Sequence, residues 1–418
     1  MALVLLVVAG MSLTVTVGAF VLDGRGAQPH PTPAAAASPA GSPTTGPTSS
    51  PSPSLPTPAP TSPTPAGFRH PISGFLHPGI LVTAEQLDTV RDHVRAGRAP
   101  WKRAFDRMAA SEYADLGWQP RPREVVECGY FSNPNHGCDD EENDAVAAYT
   151  HALMWYLTGR PEHARKSIEI LTTWATTLRS HTNQNAMLQA GWSAATFVRA
   201  AELVRYTYDG WSAADTERTA AMFRDVYLPL VRDGAPRSEG NWDLIILDAA
   251  LGIAVYLDDR PLFDHVVQRW RIRLPAYIYL ASDGARPHGS ANWHGQTTFV
   301  DGLAQETCRD LGHTAWGLEA MSQIAETAWI QGVDLYAEAQ PRLVAALEFH
   351  AGFALGDPVP GWLCSGTLAA RFSPIPEIAY NHYHNRLGIP MPRTQELLES
   401  QRPQAATHFY AWGTLTHA

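Results

Sequence analysis

The first 22 residues, "MALVLLVVAGMSLTVTVGAFVL", hold no charged side chain, and residues 31 to 66 hold neither a charge nor an aromatic ring. The first absence leaves an apolar run close to the ~20 residues that an uncleaved membrane anchor needs. A cleaved signal peptide usually has a shorter apolar core and a small-residue cleavage site. No Lys or Arg precedes the run, as either kind of export signal would favour. The second absence leaves only Pro, Thr, Ser, Ala and Gly, with Leu55 as the sole exception. Such a stretch buries too little apolar surface to offset its ordering entropy. Residues 1–26 are therefore read as a signal peptide or signal anchor. Residues 27–66 are read as a disordered linker or stalk, of a composition that suits O-glycosylation. Residues 67–418 remain as one large domain. The expected location is secreted, or extracellular and membrane-anchored through residues 1–22.

Basic charge is also lacking. The formal net charge is −10, which excludes a general nucleic-acid binder with a basic face. A local basic cleft for an anionic ligand is still allowed. Cysteine is scarce, at four residues. No CxxC or HxxxH spacing occurs, so neither a zinc site nor any other metal or cofactor is expected. Cys128 and Cys138 flank the turn-rich "GYFSNPNHG" and can pair locally, which would leave Cys308 with Cys364. Three connectivities are open, and four buried thiols are the plain alternative.

Strand signals are few, and the domain reads as helix after helix. "TAEQLDTVRDHVRAG" opens on a capping box from Thr83 to Gln86 and stops at Gly97. "NDAVAAYTHALMWYLTG" stops at Gly159, and Pro161 suits the first turn of the next helix. Apolar residues keep helical spacing through "NWDLIILDAALGIAVYLDD" and, beyond a Gly/Pro/His-rich break, through a long segment from residue 297 to 332. The class is all-α, with antiparallel helix pairs packed in layers. Periodicity does not choose between a bundle and a toroid.

Within the long segment, "QETCRDLGHTAWG" places Glu306, Arg309 and His313 on one face if it is helical, with Trp316 beyond. Simple ion pairing and a core histidine are the plain reading of this group. "RPHGSANWHGQTTF" gathers Trp293, His294 and Gln296 in one loop, poor as core but suited to sugar. Rings stack on pyranose faces, while amides and imidazoles bond hydroxyls. The plain alternative is a loop packed by its own tryptophan. "SEGNWDLI" puts Asn241 and Trp242 at a helix start, where Asn241 can serve merely as a cap. "EIAYNHYHNRLG" adds Tyr380, His382, Tyr383 and His384. Two clusters of this kind point to a cleft.

"HPGILVTAEQL", "GNWDL", "GQTTFVDGLAQETCRDLGHT" and "EIAYNHYHNRLG" together resemble the alginate-lyase-type polysaccharide lyases, over most of residues 75 to 392. The resemblance implies an (α/α) toroid, an incomplete helical barrel with a cleft for an anionic polysaccharide. It also implies metal-independent β-elimination at a uronate, leaving 4,5-unsaturated ends. Such a reaction needs the carboxylate neutralised, a base at C5 and an acid at O4. Asn241 resembles the family's carboxylate-neutralising Asn, and Arg309 resembles its cleft Arg. Two positions depart from the pattern. Trp242 stands where a catalytic His is expected, and Trp316 stands where a catalytic Tyr is expected. His294 or His313 is then the expected base, and a tyrosine of the last cluster (Tyr380 or Tyr383, beside His382) the acid. Glu306 is expected to orient Arg309, and Trp242, Gln296 and Trp316 to line the substrate. A monomer is expected. Two other readings are a non-catalytic polysaccharide binder and a glycoside hydrolase using two of Asp243, Asp301 and Glu306.

Overall fold

The computed structural model describes residues 74–238, 240–289, 292–404 and 406–418. All of them lie in one compact unit, Thr61–Ala418. The expected signal segment and stalk lie outside the described residues.

The helices run in chain order as α1 (Ala84–Arg95), α2 (Trp101–Ala109), α3 (Cys138–Thr158), α4 (Pro161–Thr177), α5 (Ala186–Thr207), α6 (Ala213–Met222), α7 (Leu228–Val231) and α8 (Gly240–Tyr256). They continue as α9 (Arg260–Tyr277), α10 (Leu311–Ile330), α11 (Leu335–Ala354), α12 (Glu377–Tyr380), α13 (Pro392–Gln401) and α14 (Gly413–His417). Thr83 caps α1 by accepting from Gln86 N–H at 3.1 Å, Gly159 ends α3 with φ 72°, and Pro161 opens α4. These are the punctuation marks visible in the sequence.

An inner row, α3, α5, α8 and α10, packs consecutively side by side. Nearly every residue of α5 and α8 is buried, as expected of helices that are apolar all round. Outer partners, including α4, α9 and α11, cover the row with one apolar face each and expose the other. Beyond α10 the contacts pass to α12, α14 and α1, and α1 meets α3. The result is the (α/α) toroid that the resemblance implies. Close approach between inner helices has a visible cause. A Cβ on Gly252 of α8 would come within 2.7 Å of Val198 on α5.

The only sheet among the described residues has three short strands, β1 (Val125–Cys128), β2 (Asn135–His136) and β3 (Ser180–Thr182). Their order is β2-β1-β3, with β1 antiparallel to β2 and parallel to β3. Both disulfides form, Cys128–Cys138 across this hairpin and Cys308–Cys364 across a longer loop.

One expected helix begins later than its periodicity suggests. Residues 297 to 310 are not helical, and α10 starts at Leu311. Asp310 is extended (φ −177°), and its carboxylate accepts from His313 N–H at 2.8 Å, a cap that competes with helix upstream. Glu306 and Arg309 therefore sit on a turn that precedes the helix.

Candidate active site

Glu306 is fully buried at the centre of the turn. Its carboxylate accepts from Asn241 N–H at 2.9 Å, Asn241 Nδ2 at 2.5 Å, the Tyr277 hydroxyl at 3.1 Å and an Arg309 nitrogen at 3.0 Å. Tyr277, at the end of α9, reaches this point because two glycines make room. A Cβ on Gly240 or on Gly317 would come within 2.1 Å of the Tyr277 side chain. Burial, then the Glu306 charge and bond, push the Tyr277 phenol well above its ordinary range, so it stays a donor. Glu306 thereby fixes Asn241 and Arg309 at once, as expected for an orienting group. Arg309 spends one nitrogen on Glu306, and its side chain is 28% exposed. The remaining guanidinium donors point to a ligand carboxylate as their natural partner. Asn241 Oδ1 is buried without a hydrogen-bond partner.

One turn on, His313 Nδ1 lies 2.6 Å from Asp310 Oδ2, and the His313 side chain is 33% exposed. Burial raises the Asp310 pKa. Bonds from the His313 ring and backbone, with the His313 and Arg309 charges, outweigh this and hold it below the usual carboxylate range. An ionised carboxylate on Nδ1–H leaves Nε2 as the lone-pair nitrogen and stabilises the imidazolium that forms when it takes a proton. Trp316 follows, its ring 5.8 Å from His313 and edge-on to Trp192 of α5 at 5.7 Å. Trp242 is partly buried against the main core.

Beside Asn241, a cavity of about 510 Å³ opens against Arg237, Arg269, Arg273, Asn292 and Gln305. Arg273 and Arg269 share the buried Asp243, at 2.7 and 3.5 Å. Among the described residues, three arginines against one aspartate make this a basic recess in an acidic protein.

His294 stands half-exposed in its loop with φ 49°, its N–H bonded to Asn292. Gln296 is placed otherwise than expected. It is buried, Nε2 donates to the Thr298 and Trp362 carbonyls, and Oε1 accepts from Cys364 N–H. Its amide latches the loop to the disulfide next to Arg309 and has no face left for sugar.

The C-terminal cluster also departs from expectation. Tyr380, His382 and Tyr383 are all buried. Tyr383 donates to the Tyr336 carbonyl, His382 stacks on Tyr336 at 3.8 Å, and Tyr380 stacks on His384 at 4.7 Å. Tyr336 bonds Glu326, which lies 13 residues beyond His313 on α10, ~20 Å along the helix. These tyrosines are core, and the structure does not bring them to Arg309. The hydrolase pairing fares no better. Asp243 and Glu306 are buried and spent on protein partners, and Asp301 is exposed and bonds the Ala281 N–H. Sequence reasoning missed Tyr277 and Trp192, which sit in helices with no local signal beyond a ring among apolar or small neighbours.

Comparisons with known proteins match the fold. The chain is similar in fold to alginate lyase A1-III from Sphingomonas species A1, with TM-score 0.54 and 18% identity over 76% of this chain and 92% of that one. It is similar also to an alginate lyase from Bacteroides ovatus, with TM-score 0.57 and 15% identity over 82% of this chain and 100% of that one. A tyrosine-to-phenylalanine variant of the A1-III enzyme complexed with a tetrasaccharide matches with TM-score 0.54 and 19% identity over 78% and 99%. No curated protein sequence matches. The alginate lyase family profile matches residues 102–360, more than half of the chain, so the chain belongs to the alginate lyase family of polysaccharide lyases.

Proposed function

We propose that this lyase cleaves a uronic-acid-containing polysaccharide, alginate or glucuronan-like, by metal-independent β-elimination to 4,5-unsaturated uronate ends. The observation that carries the reading is the shared anchoring of Asn241 and Arg309 on buried Glu306, one turn from the His313–Asp310 pair. Arg309 and the second Asn241 amide hydrogen neutralise the C5 carboxylate and so acidify the C5 proton. Neutralisation comes from protein groups, so the reaction as proposed uses no metal. His313 Nε2 takes the C5 proton, with Asp310 stabilising the imidazolium. Trp316 and Trp242 supply ring surface for the sugar, and the arginine-lined recess beside Asn241 accepts a neighbouring uronate. His313 is taken as the base because Asp310 holds its Nδ1 and Arg309 lies one turn away.

The substrate makes the working location extracellular, secreted or tethered through residues 1–22. Two disulfides support an oxidising compartment. We propose a monomer as the working unit.

The test uses the full chain, produced in an oxidising host and mixed with mannuronan, guluronan and glucuronan while ultraviolet absorbance is followed. A rise with one polymer is expected and identifies the substrate. Binding without a rise on every polymer would leave the non-catalytic reading in its place.

A further inference from the structure

β-Elimination moves two protons, one from C5 and one to O4, and the groups described so far account for the first. The tyrosines expected to supply the second are buried in the core. Another histidine reaches the same ring from residues beyond the family match. Thr407 and Tyr410 close a tight turn by mutual backbone bonds of 3.0 and 3.1 Å. His408, at its tip, takes the left-handed conformation (φ 48°), which is costly for a residue with a Cβ. The turn is pinned into the toroid. Thr196 donates to the His408 carbonyl at 3.2 Å, Arg199 to the Phe409 carbonyl at 2.6 Å, and Trp412 to the Thr150 hydroxyl at 2.8 Å. So held, the His408 ring lies 4.9 Å from Trp192 and 5.0 Å from Trp316. Its Nδ1 is 2.8 Å from the Thr407 hydroxyl, and its Nε2 is 3.4 Å from Glu142 Oε2 on α3. The side chain is 29% exposed, close to the value for His313. Trp316 thus has two histidine–carboxylate pairs against its ring.

We propose that His408, supplied by Glu142, is the proton donor to the departing O4, against the same Trp316 ring that the His313–Asp310 pair contacts. The inference rests on the elimination reading above. In the step, the C5–H bond breaks toward His313 Nε2, and its electron pair becomes the C4–C5 double bond. The C4–O4 bond breaks, and O4 takes the proton on His408 Nδ1, which leaves the Thr407 hydroxyl, as Glu142 passes its own proton to His408 Nε2. His313 ends one proton richer and the pair one proton poorer, and exchange with water restores both. The surroundings fit this division. Burial, then the Asp139 and Glu141 charges, push Glu142 up to about 8, against a bond from Gln189. Burial pushes His408 down to about 4, against the Asp139 charge. Near neutral pH the pair therefore holds its proton on the carboxyl, as a general acid must. The groups facing the pair are Asp139 and Glu141 from α3, Gln189 and Trp192 from α5, Trp316 from α10, Tyr113, and Thr407.

The experiment compares wild type, His408→Gln, Glu142→Gln and His313→Gln on the cleaved polymer and on a uronate carrying a nitrophenoxy group at C4. A nitrophenolate leaves without a proton, so loss of the acid is rescued on it and loss of the base is not. His408→Gln is expected to lower kcat on polymer by about 10²–10⁴ and to recover to within about tenfold of wild type on the nitrophenoxy substrate. Glu142→Gln, which keeps its shape if His408→Gln fails to fold, should lower kcat on polymer and lose the alkaline limb near pH 8. His313→Gln should be slow on both substrates. Wild-type turnover of polymer by His408→Gln would overturn the proposal. So would an equal, unrescued loss on both substrates with the melting temperature unchanged, because that marks a positioning role for the turn. A wild-type protein that eliminates no polymer would instead sink the lyase reading, and the donor role with it.

Discussion

The two ends of α10 carry the same kinds of residue and do different things with them. Near Leu311 stand Glu306, Arg309, His313 and Trp316. Near Ile330 stand Glu326, Arg386, His382 and Tyr336. At the second end Arg386 grips both Glu326 oxygens, at 2.7 and 3.3 Å, and lies 4.4 Å over the Trp329 ring. His382 is 1% exposed and stacked on Tyr336. At the first end Arg309 gives Glu306 one nitrogen, and the imidazole reaches solvent. Residue type does not distinguish a site from a strut. Unspent hydrogen-bonding capacity and access to the imidazole do.

The sharpest way to break the comparison is to remove the imidazole at the open end. His313→Gln should lower kcat by about 10²–10⁴, the cost of losing a positioned base, with little change in melting temperature. Wild-type turnover would move the base to His294, which the sequence left open beside it. Next come the two arginines. Arg386→Ala leaves Glu326 buried with one bond from Tyr336 and without its cation, which costs about 3–5 kcal/mol of stability, while turnover per folded molecule should hold. Arg309→Ala should do the reverse. It should cost about 10²–10³ in kcat/KM and less in stability, because Asn241 and Tyr277 still bond Glu306. Thermal melts and initial rates on both variants decide it. Equal stability losses would mean that Arg309 is a strut like Arg386.

How much of this was legible depends on the range of the interactions. Thr83, Gly159 and Pro161 act within one turn of the chain and were readable. The link from Glu306 to Arg309 in "QETCRDLGHTAWG" was readable too. The start of α10 was not, because helical periodicity runs on through residues 297 to 310 while the Asp310 cap stops the helix. "EIAYNHYHNRLG" misled for a related reason. A histidine stacked on a buried tyrosine and one lining a cleft look alike until burial is known. The toroid itself came from family resemblance, since periodicity allows a bundle equally well. The turn at His408 was invisible, because Trp192, Trp316 and Glu142 meet it from three separate helices.

The mildest expected effect sharpens the comparison through pH. Burial pushes His382 down to about 4; the Glu326 charge opposes this and the Arg386 charge adds to it. An unfolded histidine titrates near ~6.5, so between that pH and about 4 the unfolded chain binds the extra proton and the folded chain refuses it. Stability from this group is complete above pH ~6.5 and falls as the pH drops, by up to ~1.4 kcal/mol per unit. His382→Phe keeps a ring on Tyr336 and removes the titration. Its stability relative to wild type should therefore be flat above pH ~6.5 and should improve steadily below it in denaturant melts. A variant that tracked wild type down to pH 4 would show that His382 charges in place, and the buried end of α10 would then be as open to protons as the end that carries His313.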